Sequence, residues 1–319
     1  MKKNLAIIET HRKKSTTRNR KCFEINCESF AIESHLLQKN GIIDRIAEDR
    51  HVYEFTYSTF STPYHLKFHR RGINKVFAFK GFCPDHDNQI FAPIEKTDFD
   101  LTSNYNQLLF AYRTLVNEYR KKEIVIEYYT TLLKDPSSPI PEQLLLESIQ
   151  GQKMGVNDSL RIIEVLKENI SDPTKNQFAF YSHKLPKVDM CACGVYTFET
   201  SNEINSLYYT RDLKFFQPLT DVFLTFLPFD DHSVLSIGFI KGYNIKCDNY
   251  YEDLFKNHSD QYILQILSNI LILQCENWIV SKSFYFDKIH KREDKILKLL
   301  NWAGKNMDER INIKFNLFK

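Results

Sequence analysis

Glycine and proline are scarce in this 319-residue chain, at 9 and 10 residues. So few glycines leave little room for a backbone cradle around phosphate, and neither a GxGxxG nor a GxxxxGK[ST] pattern occurs. Long apolar runs are missing too. The most apolar stretch, 262–273, is short and is interrupted by Gln265 and Asn269, so it reads as a buried helix and not as a membrane span. After Met1 only residues 5–8 are apolar, and Glu9 and further basic residues follow, so no secretory signal is expected. These absences point to the cytoplasm and to no membrane association. In a reducing compartment the seven cysteines are not a disulfide framework, which leaves metal ligation or simple burial to account for them. A net charge of only +3 means that bulk charge does not mark a nucleic-acid binder.

What is present is a globular composition, 43% hydrophobic and 26% charged, with aromatics high at 14%. The length allows one large domain or two ordinary ones. Positive charge is concentrated in residues 1–21, where Lys2, Lys3, Arg12, Lys13, Lys14, Arg18, Arg20 and Lys21 face a single acid, Glu9. Such an arm can follow a phosphate backbone or remain a solvated terminus.

Alternation and β-branched or aromatic content predict strands at 51–60, 64–69 and 74–81, with a turn at Arg71-Gly72. A helix is predicted to begin near Pro84, a residue suited to a first helical turn. Helical periodicity covers 98–134 and roughly 141–170, separated by the linker Pro136-Ser-Ser-Pro-Ile-Pro141. Residues 174–245 read as β structure that includes a hairpin around Pro228–Ser233. Helices resume at 250–275 and 287–302, and a last strand is expected at 311–318. Strands come in blocks, so the class is α+β. The organisation expected is a basic arm (1–21), a small zinc-stapled ββα-type domain (22–96), a helical connector (97–140) and a larger mixed α+β domain with an antiparallel sheet (141–319).

The chemistry is carried by two short-spaced pairs. Cys22 and Cys27 are separated by four residues, and Cys83 and His86 by two. Zinc favours four tetrahedral nitrogen or sulfur ligands, commonly taken as two such pairs from tight turns. These four residues are therefore the expected Zn²⁺ ligands, with buried thiols as the alternative. Cys191 and Cys193, which would point alike from a strand, are expected to pack in a core, as are Cys247 and Cys275.

Between the pairs lies Glu33-Ser34-His35, and Asp87 follows the second pair at once. This order resembles the zinc-containing HNH (His-Me finger) nucleases over about residues 20–95, although the last motif here is Cys83-Pro-Asp-His86-Asp87 where that family carries C-x2-C-H. The resemblance implies His35 as general base and Asp87 as ligand of a catalytic Mg²⁺ or Mn²⁺, with Glu33 or Ser34 assisting. It leaves Asn74 or Asn88 for the middle position of the trio. The phrases ESHLLQKN, DRHVYEF and GFCPDHDNQIFAPIE further resemble a group of bacterial proteins without an assigned activity, and by analogy such chains serve in defence against phage or plasmids.

A nucleic-acid partner would meet His65, Lys67 and His69 on one strand face, with Arg70, Arg71 and Lys75 nearby. The alternative is an ordinary exposed strand. Asp230-Asp231-His232 could bind a metal or form a polar turn. Two functions follow as expectations. One is a metal-dependent endonuclease acting on DNA or RNA. The other is a non-catalytic zinc module that binds nucleic acid or a protein. In either, the C-terminal domain could recruit a protein partner.

Overall fold

The computed structural model describes residues 2–58, 65–96, 98–200, 202–204, 206, 219–303 and 313–319. The fold class is the expected α+β. In chain order the principal elements are α1 (Lys2–Thr17), β1 (Glu33–His35), β2 (His51–Ser58), β3 (His65–Gly72), β4 (Ala78–Lys80), α2 (Pro84–Phe91), α3 (Asn104–Leu133) and α4 (Glu142–Ser171). There follow β5 (Phe178–Pro186), β6 (Met190–Thr197), β7 (Asp221–Pro228), β8 (His232–Ile240), α5 (Ile245–Asn257), α6 (Asp260–Leu273), β9 (Trp278–Val280) and α7 (Glu293–Ala303). Among the described residues no helix is long and apolar enough to cross a membrane.

Seven strands form one antiparallel sheet in the order β3-β2-β9-β6-β7-β8-β5. Its inward alternation feeds two cores. On one face Cys191, Cys193, Phe223 and Val234 meet Leu108, Leu109 and Val116 of α3 and Ile162 of α4. On the other, Leu224, Phe226, Ile237 and Trp278 meet Leu254 of α5, Leu267 of α6 and Leu300 of α7. Both faces are covered, which explains why β7 and β8 read as near-continuous apolar runs.

Gly194 sits in mid-β6, where an added Cβ would lie 2.6 Å from the Cys275 sulfur. Cys275 is itself buried and cannot swing clear. Gly194→Ala is therefore expected to destabilise by about 1–3 kcal/mol through overpacking, read as a lowered melting temperature.

Three local expectations change. The basic arm is a helix, not a loose terminus. Ile8 packs with Tyr128, Leu132 and Leu145, while His11 bonds Thr131 and Asp135, each at 2.9 Å. The strand expected over 74–81 is shortened to β4, because Phe77 takes a positive φ of 56° that breaks the extended run. The strand expected at 311–318 falls partly outside the described residues, and 313–319 carries none.

The segments assigned above to a small domain and a connector are also tied more closely to the rest. β2 pairs with β9 (Tyr53↔Val280, Glu54↔Ile279), so the first hundred residues supply two strands of the large sheet. α3 packs on α1, α4 and the sheet, and forms a wall that both halves share.

Candidate metal centre

The first pair of ligands comes from a tight loop. Cys27 N donates to the Glu24 carbonyl at 3.2 Å, Cys22 N to the Ser29 carbonyl at 2.9 Å, and Asn26 takes a positive φ of 64°. Asn tolerates that left-handed conformation better than most residues. The second pair comes from the start of a helix. Cys83 is the N-cap of α2, Pro84 follows at the first helical position, and His86 lies within the first turn. The short sheet β1–β4 stands between the two pairs, with Glu33↔Lys80, Ser34↔Phe79 and His35↔Ala78 in register.

The geometry suits a tetrahedral ion. The Cys27 and Cys83 sulfurs are 3.8 Å apart. His86 Nδ1 lies 3.4 Å from the Cys22 sulfur and 3.3 Å from that of Cys83. All four ligand atoms fall within 4.8 Å of one another. Zn–S and Zn–N bonds of about 2.3 and 2.05 Å imply tetrahedral edges of about 3.8 Å for S···S and about 3.5 Å for S···N. The Cys83 amide also donates to the Cys22 sulfur at 3.3 Å, as expected around a thiolate. These residues can hold a metal ion, and the donor set is that of structural zinc.

The support around the ligands is aromatic and ionic. Phe23, inside the first loop, stands edge-on to Phe82, Tyr112 and Tyr119. Glu24 receives hydrogen bonds from the Tyr112 hydroxyl and from Lys167. The loop is thus fastened to α3 and α4.

The other cysteines behave as expected of core residues. Cys191 and Cys193 are fully buried on the same sheet face, Cys193 sulfur lies 2.8 Å from the Thr114 hydroxyl, and Cys247 and Cys275 are buried in the second core. The Asp230-Asp231-His232 segment is the β7–β8 turn, closed by Phe229 N donating to the His232 carbonyl at 2.7 Å.

His35 ends β1, in the short sheet between the two ligand pairs. Burial holds its imidazole below the ordinary value near 6.5, the Lys39 charge adds to the effect, and contact with the Asn74 backbone opposes it. Its Nε2 is buried without a hydrogen-bond partner, and so is Asp87 Oδ1. Next to Asp87 stands a residue that sequence reasoning passed over. Arg113, 1% exposed, lies 3.8 Å from Asp87 Oδ1 and 2.5 Å from Glu95 Oε1, and its charge also reaches His35. Its guanidinium stacks over Phe91 at 4.1 Å from the ring centroid. Asp87 thus borders a buried guanidinium whose charge also reaches His35, and no hydrogen bond joins His35 to Asp87. An arginine inside the apolar run Leu108–Val116 was the available signal, since such a residue is almost never fully buried without partners.

Glu33 does not join this group. It is half exposed and pairs with Lys75 at 3.7 Å. Among the described residues the cluster of Cys22, Cys27, Cys83 and His86 is the one group of three or more His, Cys, Asp or Glu side chains with ligand spacing.

The candidate nucleic-acid residues lie on the edge strand β3 and just after it. Lys67 and Arg70 are exposed and His69 is partly so. Burial and the charges of Lys67 and Arg71 depress His69. Arg71 pairs with Glu54 at 3.1 Å and Arg70 approaches Asp49 at 3.8 Å. Of His65 only the backbone position is described.

No family model matches this chain, and neither a curated protein nor a solved structure is significantly similar to it.

Proposed function

We propose that this protein is a zinc-braced, metal-dependent endonuclease, with His35 as general base and Asp87 as a ligand of the catalytic divalent ion. The observation that carries the reading is the order strand–strand–helix around the Cys3His cluster, with His35 at the end of the first strand and Asp87 directly after the last ligand. Hydrolysis of a phosphodiester needs a water deprotonated in line with the leaving oxygen. An imidazole kept neutral by burial, with an unpartnered Nε2, is suited to take that proton. A bound Mg²⁺ or Mn²⁺ would neutralise charge on the phosphate and the leaving oxygen. The basic face of β3 and the exposed Lys13 and Lys14 of α1 offer contacts to the backbone of a DNA or RNA substrate. A role in defence against invading nucleic acid belongs to this reading by analogy.

His35→Ala is expected to remove divalent-metal-dependent cleavage of plasmid DNA or structured RNA, a fall of about 10²-fold or more, while zinc content and melting temperature stay unchanged. Cleavage that survives in this variant would remove His35 as base. The pH profile carries a sign. The working base is the neutral imidazole, and its protonation constant is depressed, so the acidic limb of activity should lie below pH 6.5.

Arg113 favours a second reading. Its guanidinium already balances the Asp87 carboxylate, which would suit a non-catalytic zinc module that binds nucleic acid or a protein partner. That module would show salt-dependent binding to nucleic acid without cleavage at any divalent-ion concentration.

A further inference from the structure

The β2–β9 ladder ends at Glu54↔Ile279. β2 continues to Ser58, whereas the chain before Trp278 turns away toward β6, where Cys193 N donates to the Asn277 carbonyl at 3.1 Å. The sheet opens at this point. The opening is a shallow, solvent-open cleft of about 330 Å³ whose lining also takes in residues of α1, β4 and α3. Ligand pockets run from about 300 to 1,000 Å³, so this one is sized for a single ring system or a mononucleotide.

Its walls are chemically mixed. Leu36, Phe77 and Ala78 give an apolar side, and Phe77 holds the left-handed φ noted above, a backbone strain seldom tolerated by a bulky side chain. Opposite stand polar groups, of which Glu54 and Asn117 have acceptor capacity to spare. Glu54 pairs through one carboxylate oxygen with Arg71, and among the described residues the other has no protein partner. Burial pushes this carboxyl above its usual range, with Arg71 opposing. Asn117 is buried, its amide donates only to Glu118 at 3.3 Å, and its carboxamide oxygen receives nothing from the described residues. Lys121 is held across the cleft by Glu118 and by Asn277, each at 2.9 Å. Arg12 of α1, paired with Glu9, also lines the cleft, as does Glu276, which lies 4.0 Å from Lys121.

We propose that this cleft binds one unstacked nucleobase, with Glu54 and Asn117 meeting its amino edge and Arg12 and Lys121 meeting the attached phosphate. Carboxylates accept from the cytosine amine and asparagine pairs with the adenine edge, so both acceptors are matched to this class of heterocycle. The choice of ligand class rests on the nucleic-acid reading of the neighbouring centre. Ala78 lines the cleft and is the cross-strand partner of His35, so a base held here would place its own nucleotide beside that histidine.

The test is calorimetric titration of the full-length, zinc-loaded chain with AMP, GMP, CMP and UMP. At least one of AMP, GMP and CMP should bind, UMP, which lacks an exocyclic amine, should bind more weakly, and Glu54→Gln and Asn117→Ala should each weaken binding by about tenfold or more. Glu54→Gln is nearly isosteric, so its melting temperature should match the wild type and guard against a folding artefact in Asn117→Ala. Failure of AMP, GMP and CMP to bind, UMP binding as tightly as the best of them, or unchanged affinity in both cleft variants, overturns the proposal. Nucleotide binding without any cleavage leaves it standing and removes the nuclease reading. His35-dependent cleavage without nucleotide binding does the reverse.

Discussion

Replacing Cys83 with serine is expected to reduce zinc content from about one ion per chain to none and to unfold the region that the ion staples. Cys83 supplies one ligand atom from the N-cap position of α2, where its side chain makes no capping hydrogen bond, and its amide bonds the Cys22 sulfur. Apparent zinc-binding free energies in small modules reach about 10–16 kcal/mol, and where no site exists in the unfolded chain that energy is folding energy. The loss here should be smaller than that range. Phe23, Phe82, Phe91 and Tyr112 form an aromatic cluster that holds part of the region without metal. Metal analysis of the purified protein, with thermal melts before and after chelation, measures the effect. Cys191→Ser is the control, because that thiol is buried in the sheet and should leave zinc content untouched. Wild-type protein purified without zinc would sink the assignment. Binding also requires deprotonated thiols, and burial pushes the metal-free Cys22 thiol up to about 11. Zinc affinity should therefore fall as the solution is made more acidic.

The second large effect concerns Arg113. Arg113→Met keeps much of the side-chain volume and the contact with Phe91 but removes the charge between Asp87 and Glu95. Breaking a buried pair typically costs about 3–5 kcal/mol, because the remaining charge is left without compensation. Asp87 and Glu95 retain 22% and 37% of their side-chain exposure, so the low end, about 3 kcal/mol, is expected here. Urea denaturation of the variant gives the number. The triple variant Arg113→Met with Asp87→Asn and Glu95→Gln should recover part of the loss, since all three charges then disappear. No recovery would mean that Arg113 acts through packing alone.

Much of this was legible in the sequence, and for identifiable reasons. Zinc ligands are paired at short spacing by local turns, so their convergence across 55 residues could be inferred without tertiary information. The Val222–Phe239 hairpin and the pair of thirty-residue helices declared themselves by length and periodicity. Arg113 did not, because its partners come from residues 87 and 95 and nothing local marks it except its apolar neighbours. The joining of β2 to β9 was equally hidden. It links residues more than two hundred positions apart, and strand pairing at that separation leaves no periodic trace. The break at Phe77 overrode a good strand pattern, as tertiary demands can.

One consequence of the β2–β3 hairpin concerns how the protein could be divided. The two strands lie in sequence between β1 and β4, yet they complete a sheet whose other five strands all come from beyond residue 177. A cut anywhere near residue 97 would leave β9 with a bare flank on one fragment and β2 with a bare flank on the other, each a template for aggregation. The stapled centre is therefore not a transferable cassette. Loosening at the metal would be felt in the sheet through the two connections, 36–50 and 73–77, that lead from one to the other. A protease probe of the far hairpin would then serve as a remote gauge of metal occupancy.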